Sequence, residues 1–118
     1  MPPPEPDRLA LGPRHLDELR ALLRRHVPDA EVWAFGSRVA GGAHEGSDLD
    51  LVLRHASNLS APVPGWADLR EALQTSTLPM LVEVHDWSQL PASFHAEIER
   101  RFVAIASPRA VARATGGR

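Results

Sequence analysis

The sequence predicts an α/β (α+β) fold in which a small mixed β-sheet is backed by helices. Segments with the apolar spacing of amphipathic helices alternate with short segments in which β-branched and aromatic residues recur at every second position. The predicted order is helix, strand, strand, helix, strand, helix, which suits a sheet covered by helices. With 118 residues, 43% of them hydrophobic, the chain can bury one core of modest size.

Three segments, 13–26, 66–75 and 91–102, have the spacing of amphipathic helices. A proline in the first turn favours the start of the first helix, and a second proline soon after residue 26 ends it. The residues predicted to face the core are Leu16, Leu19, Leu22 and Leu23 in the first helix, Leu69, Ala72 and Leu73 in the second, and Phe94, Ile98 and Phe102 in the third.

Three further segments, 31–35, 48–54 and 80–85, are predicted to be β-strands. Side chains alternate between the faces of a strand, so the leucines of the second strand should enter the core. Asp48 and Asp50 then share the opposite face of that strand.

The first strand runs directly into Gly36 and Ser37. Glycine permits a sharp turn and lets a phosphate approach the backbone closely, and the serine adds a hydroxyl group. A short helix starting near Arg38 would point backbone N–H groups at an anion. The turn is therefore a candidate phosphate site.

A ten-residue spacer, 38–47, separates this turn from Asp48 and Asp50. Two carboxylates on one strand face repel each other unless a cation lies between them. Magnesium suits such a pair, because it prefers oxygen ligands and is commonly shared with substrate phosphates. Each fragment alone is common in loops and at strand ends, but together, between two strands, they indicate a nucleotide and metal site.

This pattern resembles the signature of minimal nucleotidyltransferases in the DNA polymerase β-like superfamily, over about residues 16–105. The resemblance implies the palm fold of that superfamily and attack of a nucleophile on the α-phosphate of ATP or another NTP, with pyrophosphate leaving. It implies that the Gly-Ser turn holds the triphosphate and that three carboxylates bind two Mg²⁺ ions. Carried over to this sequence, the nucleotide-binding residues are Gly36, Ser37, Arg38 and Ser47, and the first two metal ligands are Asp48 and Asp50.

The resemblance places the third catalytic and metal-binding carboxylate at Glu83, where relatives usually carry Asp between two aliphatic residues. On a strand, Glu83 shares its face with His85, which could contact substrate or serve the structure. An exposed strand glutamate without a role is the alternative interpretation. Asp86 is offset by three residues from Glu83, which puts it on the opposite face, and it is expected to cap the turn that follows.

For a domain this small, the resemblance implies an antitoxin encoded beside a HEPN-domain ribonuclease toxin. The implied reaction transfers AMP from ATP to a tyrosine of that toxin. Two alternatives stay open. A catalytically degenerate antitoxin would act by binding alone, which is suggested by Glu83 and by the lack of a basic residue near Ala40. A nucleotidyltransferase for small molecules, of the aminoglycoside type, would use a different acceptor.

The net charge of −2 predicts no strong steering field. The chain has no cysteines and so no disulfides, which is compatible with the expected cytoplasmic location. No apolar run is long enough for a membrane span, and the N-terminus lacks the layout of a signal peptide. The expected division is a flexible proline-rich N-terminus (1–12), a nucleotidyltransferase domain (13–106) and a flexible basic tail (107–118). The tail is expected to be solvated, without direct binding of nucleic acid.

Overall fold

The computed structural model describes residues 9–41 and 47–107. Within these residues, four strands form one mixed sheet in the order β3-β2-β1-β4, in which β1 is antiparallel to both of its neighbours and β2 is parallel to β3. A 3-10 turn follows β3. The elements are α1 (Pro13–His26), β1 (Ala30–Phe35), α2 (Ser37–Ala40), β2 (Leu49–His55), α3 (Trp66–Gln74), β3 (Val82–Asp86), α4 (Ala92–Arg100) and β4 (Val103–Ala106).

One face of the sheet is buried against α1 and α3. Leu49, Leu51 and Leu53 of β2 point to this face, and each is completely buried, as their alternation predicts. They meet the leucine stripes of the two helices, including Leu19 and Leu69. Burial of one leucine side chain contributes about 1.5–3 kcal/mol, so the apolar half of β2 anchors the strand that carries Asp50 on its other face.

The other face of the sheet is covered in part by α4 and by a smaller aromatic cluster. Trp33 lies at its centre: its ring stacks on Phe102 with a centroid separation of 3.8 Å and meets Trp87 edge-on at 5.6 Å. The guanidinium of Arg54 lies over Trp33, 3.9 Å from the ring centroid, and pairs with Glu31. This cluster extends along the face to Phe35, the last residue of β1.

The predicted C-terminal end of the third helix was wrong. The helix, α4, stops at Arg100, and a fourth strand follows. β4 was not predicted from the sequence. Phe102 is drawn away from the helix by its stacking on Trp33, and Val103 and Ile105 then alternate into the main core. That alternation of two β-branched residues was the available signal.

The other element bounds agree with the predicted ones within two residues, and α1 agrees at both ends. Part of the predicted N-terminal lead-in is packed: Leu9 is buried, and the backbone N–H of Ala10 donates to the carbonyl of Arg38 at 2.7 Å. Residues 1–8 of that lead-in and residues 108–118 of the predicted basic tail lie outside the described residues. None of the helices within 9–41 and 47–107 has the length and apolarity that a bilayer span requires.

Candidate active site

The Gly36 turn lies directly against the carboxylate of Asp50. Gly36 has a φ of +88°, a conformation that side chains other than glycine rarely adopt. A Cβ atom at this position would also collide with Oδ2 of Asp50. Both effects require glycine here, and they bring the candidate phosphate turn and a candidate metal ligand into the same space.

The sheet register explains this contact and extends it to β3. Phe35, the residue before the turn, is the antiparallel partner of Asp50, and Asp50 is the parallel partner of Glu83. The turn, Asp50 and Glu83 therefore form a row across three neighbouring strands. Asp50 is half-buried beneath the turn, whereas Glu83 is exposed on the edge strand.

Asp50, Glu83 and His85 form the group of side chains that could hold a metal ion in the part of the chain that the structure describes. One donor atom from each lies within 4.8 Å of the others. The two carboxylates and the imidazole are donors that divalent cations accept. The Asp50 carboxylate occupies the space that a Cβ atom of Gly36 would need, so this group lies in contact with the backbone of the turn.

Burial raises the pKa of the Asp50 carboxyl above its ordinary value. Repulsion by Glu83, and to a smaller extent by Asp48, adds to the rise, while His85 acts in the opposite direction. The ionised carboxylate is therefore held in the folded protein at a cost in stability. A bound cation would relieve that cost, which is the electrostatic behaviour expected of a metal ligand.

In EDTA at neutral pH, we expect Asp50→Asn to melt at a higher temperature than the wild-type protein. The stability that protonated Asp50 contributes is fully present below the ordinary carboxyl pKa and is lost as the pH rises through the raised pKa of the folded state. The advantage of the variant should therefore shrink toward pH ~4. Adding Mn²⁺ should raise the melting temperature of the wild type only. Scanning fluorimetry across this range is the measurement, and equal stability at neutral pH would contradict the expectation.

Asp48 stands just before β2 and is exposed. It is close enough to raise the pKa of Asp50, but it is not a member of the three-residue group. Its neighbours 42–46 lie outside the described residues. Its assignment as a metal ligand remains a prediction.

Arg38, which the sequence analysis assigned to phosphate, is 7% exposed. Its Nε donates to the carbonyl of Ser47 at 3.0 Å, and one terminal nitrogen donates to the carbonyl of Ala10 at 2.6 Å. These bonds tie the residue before Asp48 to the first turn of α2. Arg38 therefore positions the Gly36 turn and the segment before Asp48 relative to each other, and Ser47 contributes its backbone carbonyl to this link. Contacts of Arg38 and Ser47 with nucleotide remain predictions.

Asp86, the other candidate for the third carboxylate, is buried and has a structural role. Its Oδ1 accepts from the backbone N–H of Ser88 at 3.0 Å and from the Ser88 hydroxyl at 2.7 Å. Its Oδ2 accepts from the N–H of Val63 at 2.8 Å. The predicted cap of the turn after β3 is confirmed, and the hydrogen bond from Val63 also holds the loop before α3 against Asp86.

A cavity of about 480 Å³ adjoins the Gly36 turn on the side of α4. Phe35 and Phe94 line it, together with Arg101 and the pair that Arg100 forms with Glu97 at 3.7 Å. The sequence analysis assigned Phe94 to packing only and gave the two arginines no part in the site. Their placement depends on how α4 lies over β1, for which the sequence contains no local signal.

Gly36, Asp50 and Glu83 thus meet at one edge of the sheet with a concave surface beside them. This arrangement can hold a chain of phosphates against the turn while carboxylates hold cations that neutralise it. It has the parts that transfer of a nucleotidyl group requires.

The nucleotidyltransferase domain family matches residues 16–105 of the chain, a range that contains every candidate site residue. The Haemophilus influenzae protein named "Probable protein adenylyltransferase MntA" is 36% identical over 98 residues, which cover 83% of this chain and 84% of that protein. A solved structure described as "Crystal structure of the toxin-antitoxin with AMP-PNP" shares the fold, with a TM-score of 0.64 at 18% identity over 80% of this chain and 74% of that one. The chain is a nucleotidyltransferase and belongs to the nucleotidyltransferase domain family.

Proposed function

We propose that the protein is an antitoxin that transfers AMP from ATP to a tyrosine of a partner HEPN-domain ribonuclease toxin and so silences it. The observation that carries the proposal is the contact between the Gly36 turn and the Asp50 carboxylate, with Glu83 as the strand neighbour of Asp50. Protein adenylyl transfer is further supported by the 36% identity to the H. influenzae protein whose name carries that activity.

In this reaction the phenol oxygen of the acceptor attacks the α-phosphorus of ATP. A new oxygen–phosphorus bond forms, the bond to the oxygen that bridges to the β-phosphate breaks, and pyrophosphate leaves with that electron pair. The phenol proton passes to a carboxylate of the site. Glu83 is the best placed of these, because it is exposed toward an incoming acceptor, whereas Asp50 is half-buried.

The roles of the other residues follow from their positions. Gly36 and Ser37 hold the triphosphate, with the close backbone approach that a glycine turn permits. Asp48, Asp50 and Glu83 would hold two Mg²⁺ ions. When bound, the ions neutralise charge on the phosphates and stabilise the leaving pyrophosphate. Fixed carboxylates on adjacent strands need no rearrangement during the reaction, which is the condition for strong electrostatic stabilisation.

The cavity beside the turn supports an aromatic acceptor. Phe35 and Phe94 give it apolar walls against which a tyrosine ring could pack edge-on or offset.

The test is intact-mass spectrometry of the toxin encoded beside this chain, after incubation with the purified protein, ATP and Mg²⁺. We expect the toxin to gain one or more AMP units, and peptide mapping should place them on tyrosine. The gain should be absent in EDTA and in the absence of ATP. An unmodified toxin in a tight complex would favour an antitoxin that acts by binding alone. An unmodified toxin that forms no complex would favour a small-molecule acceptor.

A further inference from the structure

We propose that His85 is a nitrogen ligand to the metal ion held by Asp50 and Glu83, and that the site therefore binds a transition-metal ion such as Mn²⁺ in preference to Mg²⁺. The inference deepens the proposed function and rests on it. It concerns which divalent ion occupies the position between β2 and β3.

The register of the two strands places the imidazole beside both carboxylates. His85 follows Glu83 by two residues on β3, so the two side chains share a face, and its strand partner Val52 follows Asp50 by two residues on β2. His85 Nε2 lies 4.0 Å from Oε1 of Glu83, and all three donor atoms lie within 4.8 Å of one another. Ligand bonds of about 2.0–2.3 Å bring donors to roughly 3 Å from each other, so small rotations of the two carboxylate side chains would close the site.

The imidazole ring is held between two aromatic side chains. Its centroid lies 5.7 Å from that of Phe35 at an interplanar angle of 48°, and 6.0 Å from that of Phe94 at 78°. These contacts limit the rotation of the ring while Nε2 faces the carboxylates. A ligand that is already oriented loses less conformational entropy on binding a metal.

The choice of metal follows from the donor set. Mg²⁺ demands octahedral oxygen coordination and gives up its water reluctantly. Imidazole nitrogen binds first-row transition ions better, and a site that mixes one imidazole with two carboxylates shifts the preference toward them. Glu83 in place of a shorter carboxylate fits the same interpretation, because its additional methylene lets the carboxylate adapt to a site that includes the ring.

The experiment is pulsed electron paramagnetic resonance of Mn²⁺ bound to the full chain, combined with displacement of the Mn²⁺ by Mg²⁺. The wild-type protein should show ¹⁴N modulation from a coordinated nitrogen. His85→Leu, which keeps an apolar group against the two phenylalanines, should lose the modulation. The Mg²⁺ concentration that displaces half of the Mn²⁺ should fall about tenfold in this variant. His85→Gln serves as a second variant should the leucine fail to fold.

His55→Gln is the matched control, since His55 lies at the far end of β2 and bonds only local backbone and hydroxyl groups among its described contacts. It should retain both the modulation and the wild-type displacement. Bound Mn²⁺ without nitrogen modulation, or unchanged displacement in His85→Leu, would overturn the inference. AMP transfer with Mg²⁺ in the same preparations separates the two proposals. Transfer without a nitrogen signal would contradict only the metal assignment. Absence of both metal binding and transfer would contradict the metal assignment and the proposed function.

Discussion

The double variant Asp48→Asn, Asp50→Asn should lose AMP transfer to the toxin by about 10³-fold or more, while its melting temperature in EDTA stays at or above that of the wild type. Amide side chains keep the shape of the carboxylates but lose the charge that holds cations against the triphosphate. The cost in stability that ionised Asp50 imposes disappears at the same time. Loss of activity with no loss of stability is the combination that distinguishes a catalytic pair from structural aspartates.

Initial rates of AMP incorporation into the purified toxin, with Mg²⁺ and with Mn²⁺, measure this effect. The double variant Asp17→Asn, Asp29→Asn is the matched control, because it removes two exposed carboxylates from the region of α1 without touching the site. It should transfer AMP at the wild-type rate. Transfer that survives in the site variant would show that these aspartates are not the metal ligands. Toxin that remains neutralised by the site variant would identify binding as the mode of action.

Gly36→Ala should reduce AMP transfer by about 10²-fold, because the new methyl group must displace the Asp50 carboxylate. It should also lower stability, since a side chain with φ near +88° costs about 1–3 kcal/mol. Only the first of these effects depends on the site. The second is a property of the backbone and would occur at any glycine in this conformation.

Gly41→Ala separates the two contributions. Gly41 has a similar φ of +96°, but a Cβ there meets no atom of the described residues within 4 Å. This control should lose stability by a comparable amount while transferring AMP at close to the wild-type rate, once both proteins are assayed well below their melting temperatures. Thermal unfolding together with initial rates provides the comparison. Equal losses of activity in the two variants would indicate that strain in the spacer, and not the position of Asp50, limits the reaction.

The parts of this fold that follow from local sequence could be predicted. Proline punctuation and a leucine stripe determine α1 at both ends, and the alternation around Asp50 determines which face of β2 is buried. The cap formed by Asp86 was also accessible, because it depends on residues close in sequence.

What escaped prediction depends on distant partners. Phe102 leaves its helix for Trp33, which lies 69 positions earlier in the sequence, and no local pattern records that preference. Glu83 was placed beside Asp50 only by the family resemblance, and the approach of His85 to both carboxylates depends on the parallel register of β2 and β3. Arg38 was assigned to phosphate from its place beside the turn, but its bonds to the backbone of Ala10 and Ser47 appear only in three dimensions.

The contact between Gly36, in the turn after β1, and Asp50, on β2, couples the substitutions that the two positions can accept. While the aspartate is kept for its charge, alanine at position 36 is excluded by collision as well as by backbone strain. If a lineage abandoned catalysis and replaced the aspartate with a smaller residue, the collision would vanish and the glycine would be retained only by its conformation. Mutations at the two positions are therefore expected to be non-additive, and decay of the enzyme into a pure binding protein would leave its mark at both.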